Sequence, residues 1–572
     1  MIKYANEITL KNFLNCYYRE YDDYKLRKAA SKDGYWFSIE LNNDNIKSRF
    51  EIYVKISPIL RSPTWQLPCY IIKNEGKSEL TPLDAVFLIT KELDKTNNNE
   101  IINRISNSTI NIAKILQTRK YKLDDIFGYK NSFITNEQNL LRGHKLQPDP
   151  KSREGFSDAE FIKYSPETNG QFQLYYMYVD KSVLETQSLL DKTTNELILN
   201  FLAENSLPKR PNENYELFIL HPWQANYLAK QSEIQEYKSA NKIIDIGVTG
   251  PWFYPTTSVR TVYSPEVNIM LKFSLNIAIT NSVRVNLAKE CKRSISVHKL
   301  YTNHLKPILD NLFPYFNLIT DPAYSAIKIN NKIFDPSICI IRNANFNPQD
   351  DIACIASLTE PNPFNERTRI SSLIQYFSVH NNSNTHDAAL YWFETYLCVA
   401  IAPILWLYSK YGIALEAHQQ NLLIKLEDGL PVESFYRDSQ GYYYVKDHKG
   451  LIEANFGDIH DLCEGSQDFI DHHFCYYFIV NQLISVIEAI ANTGFISELD
   501  LIKMTINFFK IFPSKYQICD RFIKKLLSVD QLPLKANLLT RLNGLDELQA
   551  PLTRQSIYVD TKNPFKEIYE NI

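Results

Sequence analysis

The sequence predicts an α+β protein of several domains with mixed or antiparallel sheets. Three observations carry this. At 572 residues and 66.6 kDa the chain exceeds what one core holds, which implies about two to four domains. The stretch "NIMLKFSLNIAIT" (268–280) alternates strictly, Leu271, Phe273, Leu275 and Ile277 against Lys272, Ser274 and Asn276, with the period of a strand. Toward the C-terminus long amphipathic helices surround a hairpin in which "GIALEAHQQNLLIKL" and "PVESFYRD" pair across "EDG".

In chain order, residues 1–150 read as mostly helical, with strand around "FEIYVKISPIL" (50–60). "LRGHKLQPDPKSREGFS" (141–157) is polar, rich in Pro and Gly, and breaks the periodicity, as a domain boundary or a binding loop does. "YELFILHPWQANYLAK" (215–230) reads as a strand that stops at Pro222 and hands over to a helix. "TSVRTV" (257–262) and 268–280 read as strands. "NSVRVNLAKECKRS" reads as a helix start, with Asn281 or Ser282 as N-cap. The end of the chain, including "LPLKANLLTRL" (532–542), returns to helix. The expected domains are 1–153, 154–373 and 374–572.

Hydrophobic content of 44% and charged content of 22% are those of a soluble globular protein. A net charge of -3 gives no basic field for nucleic acid and no polybasic membrane anchor. No apolar run reaches the roughly 18 residues that span a bilayer, and "YLCVAIAPILWLY" (396–408) suits a buried helix. The N-terminus lacks a signal-peptide core, and the nine cysteines form no CxxC pair. Reduced thiols in a cytoplasm are therefore expected. There is no GxxxxGK[ST], GxSxG or GxGxxG, so any bound phosphate must be held by side chains.

Two clusters offer such side chains. Ser258, Arg260 and Thr261, then Lys272 and Arg284, place cations and hydroxyls close together, as a polyanion cradle or as solvated surface charge. Strand alternation puts Ser258 and Arg260 on one face. In the second, "EAHQQN" (416–421), alternation puts Glu416, His418 and Gln420 on one face. Asn421 and Asp438 are hard oxygen ligands suited to Mg2+, unless the segment is only a hydrogen-bonded polar strand. His221 in "HPWQ" reads as a corner hydrogen-bonder, and "DHHFC" (471–475) as scaffold.

Seven elements in order, "GHKLQPDPKSREGF" (143–156), "HPWQ" (221–224), "SVRT" (258–261), "LKFSLNIAITNSVR" (271–284), "EAHQQN" (416–421), "RD" (437–438) and "KANLLTRL" (535–542), resemble the aerobactin-type IucA/IucC family of siderophore synthetases. The resemblance implies a cupped hand of thumb, fingers and kinase-like palm. It also implies a homodimer and an ATP- and Mg2+-dependent ligase of iron acquisition. Such a ligase adenylates a citrate-like carboxylate and passes it to an amine or hydroxyl. By position, Ser258, Arg260, Thr261, Lys272, His418, Asn421 and Lys151 would contact ATP. Asn421, Asp438 and Glu433 would hold Mg2+, and Arg284, Thr280, Gln420 and Glu416 would face the carboxylate substrate. Arg260, Lys272, Arg284 and His418 would carry the chemistry. The family's GHPxHP-type loop is altered, with Lys145 for the first Pro and Gln147 for the second His; His144 or Lys145 are candidate substitutes for its phosphate contact, and Lys151 and Arg153 are kept.

Kinase-like enzymes place an Asp two residues after such a His, to help deprotonate a hydroxyl. Here the position is Gln420. A carboxylate nucleophile, with an unperturbed pKa of about 4, arrives ionised and needs no base. A kinase-like phosphotransferase and an inactive citrate- or nucleotide-binding protein are the competing readings. For the amine-activating base of the second step, Glu416 and His418 are both candidates.

Overall fold

The computed structural model describes all residues except 31–32, 44–45, 75, 95–98, 122–125, 203–207, 281, 458, 546–555 and 572. Its N-terminal part corrects the mostly helical expectation. Five consecutive strands, Tyr24–Lys28, Tyr35–Asn43, Ile46–Ile56, Pro63–Lys73 and Gly76–Leu80, form an antiparallel sheet in sequence order. The cause is visible in the second strand, where Phe37, Ile39 and Leu41 are buried between more exposed neighbours, a period of two. That face packs against Phe13 and Leu14 of helix Ile2–Glu20 and Val86 and Ile89 of helix Pro82–Leu93.

The central sheet runs Lys332–Ile333, Ala323–Ile329, Cys339–Asn343, Ile269–Phe273, Thr261–Ser264, Ile243–Pro255, Phe172–Asp180 and Tyr215–Leu220, with Leu184–Ser188 also paired to Ala323–Ile329. The strand read over 268–280 is two strands. At Ser274 the chain leaves this sheet, its N–H donating to the Ile338 carbonyl at 2.9 Å and its Oγ to the Asp335 carbonyl at 2.6 Å. It continues as Leu275–Ile279 in a small sheet with Ser282–Arg284 and Arg153–Glu154. Arg284 is thus in a strand, and the helix begins later, at Ala288–Leu300. Ser282 is no N-cap, and Asn281 lies outside the described residues. The β-branched Val283 and Val285 favour the extended backbone seen here.

A four-stranded sheet, in the order Phe316–Ile319, Leu430–Arg437, Leu422–Glu427, Ile352–Cys354, carries the hairpin read from the sequence. Its turn has φ of 48° at Asp428 and 82° at Gly429, the type I′ requirement. A Cβ at Gly429 would lie 3.0 Å from the Leu373 carbonyl, and the Gly429 carbonyl accepts from buried Trp392 at 3.1 Å. Both expected boundaries, at 153/154 and 373/374, fall within shared structure. Arg153–Glu154 pairs with Ala278 and Ile279, and strands 316–319 and 352–354 belong with 422–437. "KANLLTRL" begins at the end of strand Gln531–Lys535 and becomes helical only over Asn537–Leu542.

Helices Thr385–Tyr411 and Gln467–Ala491 are long and apolar enough to cross a membrane, which corrects the expectation drawn from charge-free runs alone. The most apolar windows of these helices are 72% and 67% buried within the protein, around Trp392, Leu405, Phe478 and Ile487, as core helices are.

Candidate active site

The cationic cluster is built on a strained turn rather than on the strand read for 257–262. Val259 has φ 66°, unusual for a β-branched residue, and is 1% exposed among Leu275, Ile277 and Ile279. The Val259 N–H donates to the Thr256 carbonyl at 2.8 Å, Thr256 Oγ1 donates to the Thr261 carbonyl at 2.9 Å, and Ser258 Oγ accepts the Thr261 N–H at 3.1 Å. With Val259 anchored inward, Arg260 leaves the turn in one direction and donates to Asn286 Oδ1 at 2.7 Å and, more weakly, to the Arg284 carbonyl at 3.4 Å. Asn286 is fully buried and donates in turn to the Lys272 carbonyl at 3.0 Å. It couples two cations that sequence spacing alone put together, and no motif pointed to it.

Lys272 lies opposite Thr261 in the ladder. Its ammonium is 3.4 Å from Asp438 Oδ1, and Arg342, also missed from sequence, stands at 4.0 Å from the same oxygen. Arg342 is itself gripped by buried Asp321 at 2.6 and 3.2 Å. Burial pushes the Asp438 carboxyl up, but Lys272, Arg342 and the Gln440 N–H, 3.2 Å away, outweigh it and hold the group well below the usual carboxylate range. Asp438 has φ 109° and keeps 28% of its side chain exposed, so an ionised carboxylate stays open to solvent. Asn421 sits beside it across the hairpin, its carbonyl accepting the Arg437 N–H at 2.9 Å. Its Nδ2 donates to the Glu416 carbonyl at 3.2 Å, which fixes the orientation of the amide. One ionised carboxylate and one amide oxygen suit Mg2+, which takes few protein ligands when phosphates and water complete its shell.

"EAHQQN" is a loop, not a strand. It joins strand Ile413–Leu415, paired with Tyr442–Val445, to Leu422–Glu427 of the other sheet. The chain turns through the Asn421 N–H to His418 carbonyl bond of 2.9 Å. His418 Nδ1 accepts the Gln420 N–H at 3.2 Å; burial, reinforced by nearby Lys535, Arg437 and Arg284, lowers the pKa of the ring to about 4 against the pull of Asp438. Gln420 Nε2 donates to Thr257 Oγ1 at 3.1 Å, and its carbonyl accepts from Arg437 Nε at 3.1 Å and Nη2 at 2.9 Å. Arg437 pairs with fully buried Glu137 at 2.9 Å, and Glu137 accepts from both the N–H and hydroxyl of Thr257. This network clamps the 416–421 loop onto the 256–261 turn. Glu416 Oε2 accepts from Tyr443 at 3.2 Å, while Arg284 donates to Thr280 Oγ1 at 2.9 Å and to the Ile279 carbonyl at 3.1 Å.

Two expected site residues stand elsewhere. Lys151 is 4% exposed and bonded to the Leu140 carbonyl and to Glu167 at 2.6 Å, with Arg153 3.1 Å from the same carboxylate oxygen. Its charge is already neutralised inside the protein, so it is a buried structural cation. Glu433 lies opposite Lys425, five positions along the strand from Asp438 and so roughly 16 Å away at ~3.3 Å per residue. There it accepts from Asn317 at 2.6 Å.

The altered loop also finds partners within the chain. Lys145 bonds to Glu488, and the His144 ring, with its pKa lowered by burial to about 4, meets Asn481 at 3.1 Å. His221 is fully buried and caps helix Pro222–Leu228 through the Trp223 N–H at 3.1 Å, the corner role read from the sequence.

Residues 132–360 match the IucA / IucC family, and residues 390–550 match the ferric iron reductase FhuF-like transporter family. The chain is similar to spermidine-citrate ligase of Bacillus anthracis, 32% identical over 98% of this chain and 97% of that protein. It is likewise 32% identical to the N(2)-citryl-N(6)-acetyl-N(6)-hydroxylysine synthase of Vibrio mimicus, over 82% of this chain and 79% of that one. The structure of ATP-bound aerobactin synthetase IucA from Klebsiella pneumoniae superposes with a TM-score of 0.89 at 26% identity, covering 98% of this chain and 99% of that one. Among the described residues no three His, Cys, Asp or Glu side chains group as a metal site.

Proposed function

The chain belongs to the IucA/IucC family of siderophore synthetases, and from that premise we propose that it is an ATP- and Mg2+-dependent ligase joining a carboxylate of citrate, or of a citrate derivative, to an amine or hydroxyl, with release of AMP and pyrophosphate. A cytoplasmic homodimer belongs to the same proposal. The observation that carries the reading is the cation set Lys272, Arg342 and Arg260 gathered around Asp438, with Asn421 beside it and a neutral Gln420 where a kinase has its base.

In the first step a carboxylate oxygen attacks the α-phosphorus of ATP, the P–O bond to the β-phosphate breaks, and pyrophosphate leaves. No proton moves, because the nucleophile is already ionised. The work left to the protein is positioning and charge neutralisation. Arg260 and Lys272, tied together through Asn286, present fixed cations to the phosphates. Arg284 offers its guanidinium to the citrate carboxylate from the Thr280 corner. His418, neutral at pH 7, can donate from Nε2. Asn421 and Asp438 fit Mg2+, which when bound adds Lewis-acid neutralisation of the phosphate oxygens. Gln420 serves as a neutral brace to Thr257, and an Asp at 420 would repel both citrate and ATP.

Incubation with citrate, labelled ATP and a panel of small amines tests the reading. AMP and pyrophosphate are expected; ADP would point to the kinase-like alternative, and binding without turnover to an inactive binding protein. In the same assay Asp438→Asn should raise the Mg2+ concentration for half-maximal pyrophosphate release by about 10-fold or more. An unchanged Mg2+ titration would remove Asp438 from the ligand set.

A further inference from the structure

Taking the ligase reaction above as given, we propose that the attacking amine belongs to an amino acid, whose carboxylate is held by Arg19 in a cavity behind the 416–421 loop. The cavity lies where helix Ile2–Glu20, the altered 143–156 loop, helix Gln467–Ala491 and strand Tyr558–Lys562 meet. It begins beside the candidate active site. Successive side chains of the loop point to opposite sides. Gln420 reaches Thr257 on the phosphate turn, whereas Gln419 Nε2 donates to the Asn481 carbonyl at 2.7 Å and to Ser485 Oγ at 3.0 Å. Asn481 also meets the His144 ring at 3.1 Å, and four residues earlier the Tyr477 ring lies 5.9 Å from that of His418. Tyr477, Asn481, Ser485 and Glu488, spaced by four, four and three, therefore form one helix face that leads from His418 into the cavity. From Asn481 to Glu488 this face covers about 10 Å, the scale of a small diamino acid.

Charge then selects the ligand. The lining carries Arg19, Lys145 and Lys562 against one carboxylate, Glu488. Lys145 is bonded to Glu488. Burial pushes the Glu488 carboxyl up, but Lys145 and then Arg19 outweigh it, so the group stays ionised and serves two cations. Among the described residues Arg19 has no carboxylate within 4.0 Å. Its Nη2 donates to Ser62 Oγ at a long 3.5 Å, and its Nε is buried with no hydrogen-bond partner there. A buried guanidinium nitrogen without an acceptor is costly, and a carboxylate fits its planar fork. Lys562, exposed at the rim, adds to the positive potential. The same surplus disfavours a polyamine, whose ammonium groups would enter a site with three cations and one carboxylate.

The test compares amines that differ by one carboxylate: ornithine with putrescine, lysine with cadaverine, and 2,3-diaminopropanoate with 1,2-diaminoethane. Each is supplied with citrate and ATP, and the amide is followed by mass spectrometry. The amino acid of at least one pair should show a kcat/KM about 10-fold or more above that of its partner, as a charged hydrogen-bonded contact provides. In Arg19→Gln the KM for that amino acid should rise by about 10–100-fold with kcat largely kept, and the preference over its partner should vanish. Lys562→Ala, at an exposed position, should raise the same KM by about 2–5-fold. Citrate-dependent exchange of pyrophosphate into ATP, and capture of the acyl adenylate by hydroxylamine as the hydroxamate, use no carboxylate-bearing amine. Both should stay within about threefold of the unmodified protein in either variant. Use of the decarboxylated partners as well as or better than the amino acids, or of none of the amino acids, overturns the assignment. So does an unchanged amino-acid KM in Arg19→Gln, or a raised KM for citrate, which would place citrate at Arg19 instead. Parallel loss of exchange, hydroxamate and amide in Arg19→Gln would show a structural role and overturn it too. Absence of exchange in the unmodified protein overturns the ligase reading, and this assignment with it.

Discussion

Arg260→Ala is expected to slow citrate-dependent pyrophosphate release by about 10²–10³-fold, the usual cost of one preorganised donor to developing charge. The expectation follows from how the guanidinium is held. Val259 at φ 66° and Asn286 at 2.7 Å leave Arg260 little conformational freedom, so its charge is in place before ATP arrives. Arg260→Lys retains a charge but loses the planar fork, and should recover only part of the rate. The circular dichroism spectra of both variants should match that of the unmodified protein. Near-normal pyrophosphate release from Arg260→Ala would remove this residue from the phosphate site.

Glu137→Gln is expected to destabilise the fold by about 3–5 kcal/mol, because removing one member of a buried ion pair strands the other. Arg437 is 6% exposed on its side chain and Glu137 fully buried. The amide also gives Thr257 a weaker acceptor for its N–H and hydroxyl. Since Arg437 and Thr257 together hold Gln420, activity should fall with stability. The denaturant midpoint of unfolding measures the first and hydroxamate formation the second. The double variant Glu137→Gln, Arg437→Met should be less damaged than the sum of the single ones. Strict additivity, or an unmoved midpoint, would mean that the clamp is not what ties the loop to the turn.

Much of this was legible because some signals are local. "EDG" between alternating stretches specified a hairpin, and φ at Asp428 and Gly429 shows why those residues turn there. "HPWQ" read correctly as a strand-to-helix corner. Other signals misled for physical reasons. The polar alternation of 416–421 mimics a strand, yet His418 and Asn421 turn their polarity on the loop's own backbone and Gln420 reaches across to Thr257. Lys151 and Glu433 rest on position in the family resemblance, which does not distinguish a ligand from a buried cation or a remote carboxylate. The alternation of Phe37, Ile39 and Leu41 was present in the sequence and is what builds the N-terminal sheet. Asn286, Glu137, Arg342 and Tyr443 could not be found this way. Each acts through a partner brought near by the fold, as Glu137 meets Arg437 three hundred positions later.

The central claim is that an ionised carboxylate attacks the α-phosphate without a protein base. Citrate labelled with oxygen-18 in its carboxylates tests it most directly, with ATP, Mg2+ and the amine present and the products read by mass spectrometry. Adenylation predicts one labelled oxygen in AMP and none in inorganic phosphate. Label in phosphate, or ADP in place of AMP, would contradict the account.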